Sequence, residues 1–143
     1  MKKTTKSTQQ TQKLGEKIGR EALKKTDEVI IIVLSGDLGT GKTTLVKGIA
    51  KGLGIKDNIV SPTFTLIQSY SIGPQRTLYH IDPYRLKNPN DMVALGFKEL
   101  ITQKGNIIII EWGERLKDYL PEHVMRIELW HREDNNREII ISK

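Results

Sequence analysis

An α/β fold with a mostly parallel central sheet flanked by helices, closed by an antiparallel C-terminal hairpin, is what this sequence predicts. Three observations carry the prediction. Residues 29–34, "VIIIVL", are apolar at every position, as a strand covered on both faces has to be. That run feeds a glycine-studded loop, "SGDLGTGKTT", and then a helical pattern. A second run, "NIIIIEW" at 106–112, reads as another buried strand, this one ending in an acid. Buried strands alternating with helices build a parallel sheet with helices on its faces.

Taken in order, each element has its own pattern. "TQKLGEKIGREALKK" (11–25) sets Leu14, Ile18, Ala22 and Leu23 on one stripe of an amphipathic helix. Residues 1–10 before it are basic and are expected to form a flexible N-terminal segment. After the glycine loop, "KTTLVKGIAKGLG" continues as a helix that stops near Gly52 or Gly54. "SPTFTLIQSYS", "RTLYHIDPYRL" and "NIIIIEW" offer three more strands. Between the last two, "NDMVALGFKELI" is helical, with Asn90 or Asp91 placed to cap it. "VMRIELWHREDNNREIIIS" is two strands around a polar turn. With no repeat and no linker, residues 1–143 read as one domain.

Composition narrows the function classes. The absence of cysteine removes disulfides and thiolate metal sites and fits a reducing cytoplasm. His80, His123 and His131 are not at zinc-ligand spacing. No run nears the roughly 20 apolar residues of a membrane span, and "MKKTTKSTQQTQK" lacks the apolar stretch of a secretory signal. The net charge is +6, and residues 1–25, with eight basic and two acidic side chains, hold all of it. Basicity is therefore a property of one end, read as a solvated tail and outer helix face; contact with RNA or an acidic partner is the alternative. With eight aromatics and no interleaved basic–aromatic platform, direct chemistry on RNA or DNA is not expected.

The glycine loop carries the chemistry. Gly36-Asp37-Leu38-Gly39-Thr40-Gly41-Lys42-Thr43 satisfies G-x-x-x-x-G-K-[ST] in full, with a strand before it and a helix after it. This is the arrangement of a P-loop NTPase domain. Glycines let the main chain approach a phosphate and turn successive N–H groups toward it. The helix beginning at Lys42 aims its positive end the same way. Lys42 would bridge β- and γ-phosphates, and the Thr43 hydroxyl would hold Mg²⁺. No [NT]KxD segment for guanine is present, so ATP is favoured.

Such a loop needs a carboxylate beside it to hold the metal or its waters. Glu111 ends "IIIIE" and Asp82 ends "TLYHID", and both are candidates. The "SPTFT" segment, 61–65, lies where phosphate-loop hydrolases keep a nucleotide-sensing switch. Its Ser61, Thr63 and Thr65 hydroxyls are the candidate contacts to a γ-phosphate or a water.

Read together, the loop "GDLGTGKTT" (36–44), H-x-D-x-Y-R at His80, Asp82, Tyr84 and Arg85, and E-W-x-E at Glu111, Trp112 and Glu114 resemble the bacterial TsaE family. This family, also called YjeE, comprises small ATPases required for making threonylcarbamoyladenosine in tRNA. The resemblance runs from "LGEKIG" at 14–19 through the final strand. It implies Mg²⁺-dependent ATP hydrolysis, slow in the isolated protein and stimulated by partners. It implies nucleotide contacts along the loop through Thr44, Mg²⁺ coordination by Thr43 with Glu111, and Asp82 near the metal and needed for hydrolysis. Trp112 would lie near the nucleotide and report its binding by fluorescence. The adenine would lie near Thr8 and Asn136, and "SPTFT" would be the mobile switch. Family members commonly carry proline where this chain has Gly113. The implied partners are TsaB and TsaD, the second being the transferase that modifies adenosine next to the anticodon; tRNA is reached through them. Hydrolysis would reset that complex between rounds, with Arg85 or a partner arginine adding positive charge.

Two other functions compete. A small P-loop kinase shares the motif, but "NDMVALGFKELI" contains no arginine to serve as a lid. A nucleotide-dependent interaction module would use ATP only to order its switch, and dispensability of Asp82 would distinguish it.

Overall fold

The computed structural model of the chain describes every residue except Leu38, Thr63 and Phe64. The loop position Leu38 and the switch position Thr63 therefore lie outside the described residues. Seven strands form one mixed sheet: β1 (Lys2–Thr5), β2 (Ile30–Ser35), β3 (Ile67–Ile72), β4 (Arg76–Ile81), β5 (Ile107–Glu111), β6 (Met125–His131) and β7 (Arg137–Ser142). Their spatial order is β1-β7-β6-β2-β5-β4-β3. The parallel pairings are central, β6 with β2, β2 with β5 and β5 with β4. Antiparallel pairings flank them on both sides, β4 with β3 and β6 with β7 and then β1. The expected parallel sheet is thus its middle, and antiparallel strands occupy both margins instead of one.

Alternation along the central strands divides the core in two. Ile32 and Leu34 of β2, with Ile107 and Ile109 of β5, face helices α1 (Thr8–Leu23) and α2 (Lys42–Gly52). Ile31, Val33, Ile108 and Ile110 face the other way, onto Met92, Phe97 and Leu116. All five residues of β5 are buried, which is why four isoleucines in a row read correctly as a doubly covered strand. Helices α1 and α2 meet at glycines: a Cβ on Gly15 would lie 2.5 Å from the Leu45 carbonyl oxygen. Among the described residues no helix is long and apolar enough to cross a membrane.

Three local expectations are corrected. The N-terminal segment is ordered: Lys2–Thr5 pairs with β7, and the main-chain nitrogen of Met1 donates to the Ile141 carbonyl at 2.7 Å. Helix α1 begins at Thr8, where Ser7 caps it by accepting from the Gln10 N–H at 3.1 Å. Lysines do not oppose this, because an edge strand turns them to water while Thr5 alone is buried, bonded to the Thr11 hydroxyl at 2.6 Å. The segment "NDMVALGFKELI" is two short helices, α3 (Asn90–Ala94) and α4 (Phe97–Leu100), divided at Gly96 with φ 87°. Neither Asn90 nor Asp91 caps α3: Pro89 holds that position, and the Asn88 carboxamide accepts from the Asn90 N–H at 3.0 Å.

Candidate nucleotide site

The loop after β2 wraps back on itself before α2. Gly36 sits at φ 145°, where a Cβ would lie 2.6 Å from the Leu129 carbonyl oxygen, and Gly41 caps α2 at φ 102°, a left-handed conformation that glycine adopts without strain. The buried Thr40 ties the turn together, its hydroxyl donating to the Asp37 carbonyl at 2.7 Å. Lys42, only 6% exposed, starts the helix. Its ammonium donates to the Gly36 carbonyl and lies 4.2 Å from the centre of the Trp112 ring. The lysine is thus held at the loop's mouth by a carbonyl and an aromatic face, both weaker partners than a phosphate.

Period-two alternation delivers the acids. Leu78 faces α2, so His80 and Asp82 point the same way. Ile107 and Ile109 put Glu111 on that face as well. Since β4 and β5 are adjacent and parallel, with His80 opposite Ile109, the two acids arrive at the same C-terminal margin as the loop. Ligands bind at that margin in open α/β sheets. Both acids are buried, at 4% and 5% exposure, and Asp82 accepts from the Tyr84 N–H at 3.0 Å. His80 Nε2 lies 2.7 Å from Glu111 Oε2.

A cavity of about 460 Å³ opens between these elements. Lys42, Thr43, Thr44, Asp82, Glu111 and Trp112 line it together with Gly39 and Gly41, and Ser61 and Tyr84 stand at its wall. A second cavity of about 460 Å³ lies behind the loop, where Gly36, Asp37 and Thr40 contribute. An adjoining one of about 360 Å³ contains Thr8, Gly41 and Thr44. Asn136 lines none of these three; its neighbour Asn135 lines the cavity of Thr8. Thr65 is exposed and accepts from the Gln68 amide at 3.1 Å, away from the main cavity. Arg85 is exposed and does not line it either.

Two arginines join the site without a sequence motif to announce them. Arg137, the first residue of β7, lines both the main cavity and the adjoining one, a second cation where a polyphosphate would pass. Arg115, in the 3-10 helix Gly113–Tyr119, donates to the carbonyls of Pro83, Tyr84 and Leu86. It fastens the turn that presents Asp82 to the segment that follows Glu111. Trp112 makes the corner between them at φ 56°, with its ring 5.0 Å from that of Tyr84. A left-handed tryptophan is a strained residue, held here by its neighbours. Gly113 then packs on Val33, so closely that a Cβ would collide with the valine methyl. Arg115→Ala leaves three carbonyls without their cationic donor and is expected to destabilise the fold by about 2 kcal/mol. Urea unfolding measures this, and Arg115→Lys, lacking the fork, should recover less than half of the loss.

Among the described residues no group of three or more acidic or histidine side chains could cage a metal alone. A threonine hydroxyl and one carboxylate are oxygens that Mg²⁺, completing its shell with phosphates and water, could use. Thr43 and Glu111, both lining the main cavity, are the oxygens on offer.

Comparison with known proteins places the chain in a family. The family model "Threonylcarbamoyl adenosine biosynthesis protein TsaE" matches residues 5–139. A tRNA threonylcarbamoyladenosine biosynthesis protein TsaE from Treponema pallidum (strain Nichols) is 42% identical over 142 residues, covering 99% of this chain and all of its own length. The protein of the same description from Haemophilus influenzae is 36% identical over 130 residues, covering 90% of this chain and 81% of its own. Among solved structures, the crystal structure of "Bacillus subtilus YdiB" superposes with a TM-score of 0.79 at 33% identity, over 97% of this chain and 82% of that one. The chain belongs to the TsaE family.

Proposed function

We propose that this chain is a Mg²⁺-dependent ATPase serving the formation of threonylcarbamoyladenosine in tRNA, docking on the TsaB–TsaD pair and resetting it by hydrolysis. One observation carries the reading. In a chain matched to the TsaE family over residues 5–139, the phosphate loop, Asp82 and Glu111 open onto one cavity. Bound with the nucleotide, Mg²⁺ would neutralise charge on the β- and γ-oxygens. Lys42 exchanges the Gly36 carbonyl for those oxygens, and the N–H groups of the loop and of the first turn of α2 surround them. Glu111 and Thr43 offer oxygens to the metal. Asp82 orients the attacking water, its carboxylate held by the turn that Arg115 fastens. Arg137 extends the positive wall toward the cavity of Thr8, the natural place for the base and ribose. The aromatic pair Trp112–Tyr84 forms one wall and excludes water from that side. The cavity is open in the isolated chain, so a partner that covers it would complete the site and accelerate turnover. The kinase alternative gains nothing here, since Met92 and Phe97 of the helical segment are fully buried in the core instead of covering the cavity as a lid.

Depleting the protein in its host and quantifying threonylcarbamoyladenosine in total tRNA by nucleoside mass spectrometry tests the assignment. Loss of the modified nucleoside, restored by the wild-type gene, is expected. An unchanged level would remove the chain from that pathway and leave a P-loop protein of other purpose.

A further inference from the structure

We propose that His80 is a positioning residue of this site, fixing the Glu111 carboxylate in the orientation in which it meets the metal or a metal-bound water. The inference rests on the ATP and Mg²⁺ reading above and goes beyond it by assigning a residue that does not itself line the cavity.

The imidazole is 1% exposed, and its Nε2 is 2.7 Å from Glu111 Oε2. Its other nitrogen, Nδ1, is buried without a hydrogen-bond partner among the described residues. Of the two tautomers of a neutral ring, the one with its hydrogen on Nε2 leaves only a lone pair at Nδ1, whereas the other would bury an unpaired N–H there and turn a lone pair toward the carboxylate. The structure therefore assigns the hydrogen to Nε2, which donates to the carboxylate. Burying an imidazole with one empty side is unfavourable compared with an aliphatic residue. The rest of this layer shows the alternative, since Leu78 two residues earlier and Ile109 opposite in register are aliphatic and buried. What the histidine has that leucine lacks is its single bond to Glu111. One carboxylate oxygen is thereby engaged and the carboxylate plane set, leaving the other oxygen for the cavity. Without the donor, the three rotatable bonds of Glu111 let its carboxylate leave that orientation and sample others. Partners behind a metal ligand typically tune metal affinity by about tenfold or more.

The test separates metal positioning from packing. AMPPNP binding is followed by Trp112 emission while Mg²⁺ is titrated. His80→Leu is expected to raise the Mg²⁺ concentration at half-saturation about tenfold, with metal-free nucleotide affinity within about twofold of wild type. His80→Gln, whose amide nitrogen reaches the Nε2 position, should stay within about threefold of the wild-type midpoint. Should His80→Leu fail to fold, His80→Asn, too short to reach Glu111, takes its place and should show the high midpoint. Equal midpoints across wild type and variants overturn the proposal, as does a parallel loss of metal-free affinity in all of them, which marks a packing role. A wild type whose binding ignores Mg²⁺ removes the magnesium reading and this inference with it. Wild-type dependence that the variants share removes the inference alone.

Discussion

Lys42→Ala is expected to lower ATP turnover at least about a hundredfold, the usual effect of deleting a charge aimed at a transition-state oxygen. It should also weaken nucleotide binding. The lysine is the first residue of α2, buried at 6% exposure, and among the described residues its ammonium has the Gly36 carbonyl and the Trp112 face as partners. Phosphate oxygens would be better partners than either. The substitution should leave thermal stability unchanged or raise it, because removing a buried cation that lacks an anion relieves desolvation. Asp82→Asn is the informative contrast. It should lose turnover to a similar degree while keeping nucleotide affinity, if its part, as proposed, is with the water and not with the phosphates. Phosphate release measures turnover, and Trp112 emission measures binding against the steady signal of the exposed Trp130. Turnover within about threefold of wild type in Lys42→Ala would sink the phosphate role and move attention to Arg137, the other cation of the cavity.

What the sequence made legible is what is decided locally. The strand–loop–helix unit from Ile30 to Gly52 follows from apolar runs and from glycines at fixed offsets. Asp82 and Glu111 were readable because each ends an apolar strand, and parallel pairing in register brings such ends together. The missed features depend on residues far apart in the chain. β1 exists because β7 offers it an edge more than 130 residues away, and no period in four lysines and threonines could announce that. Arg115 matters through carbonyls about 30 residues earlier, and Arg137 through the place where a hairpin turn happens to lie. The break between α3 and α4 was visible as Gly96, but only packing decided that the chain turns there and does not continue as a helix. In the hairpin turn, where Asp134 and Asn135 both take positive φ, it is Asn135 and not Asn136 that lines the cavity of Thr8, a detail of turn geometry that no sequence pattern displays.

Gly48→Ala is expected to be among the most destabilising single methyl additions to this chain. Helices α1 and α2 cross with Gly15 and Gly19 of one against Gly48 and Gly52 of the other. A Cβ on Gly48 would collide with the Gln12 carbonyl oxygen and lie 3.0 Å from the Gln12 carbonyl carbon. The obstacle is main chain within a helix, so no side-chain rotation relieves it. Two effects oppose each other. Alanine favours a helix over glycine by about 1 kcal/mol, and overpacking of this kind is unfavourable by about 3 kcal/mol. Overpacking wins, for a net loss of about 2 kcal/mol or more, seen as a lower urea midpoint at an unchanged slope. Gly39→Ala provides the control, since among the described residues nothing lies within 4 Å of its Cβ position and its φ of 79° is the strained feature. Gly19→Ala should behave like Gly48→Ala, because its Cβ would meet the Ile49 carbonyl. The double variant should then lose less than the two single losses added, since one small separation of the helices relieves both collisions. That separation has a functional reading as well. α1 carries Thr8 to one cavity and α2 carries Lys42 to the other, so spreading the helices should weaken nucleotide binding without touching any group that contacts the ligand. A Gly48→Ala protein as stable as wild type would mean that backbone contact does not set the approach of these helices.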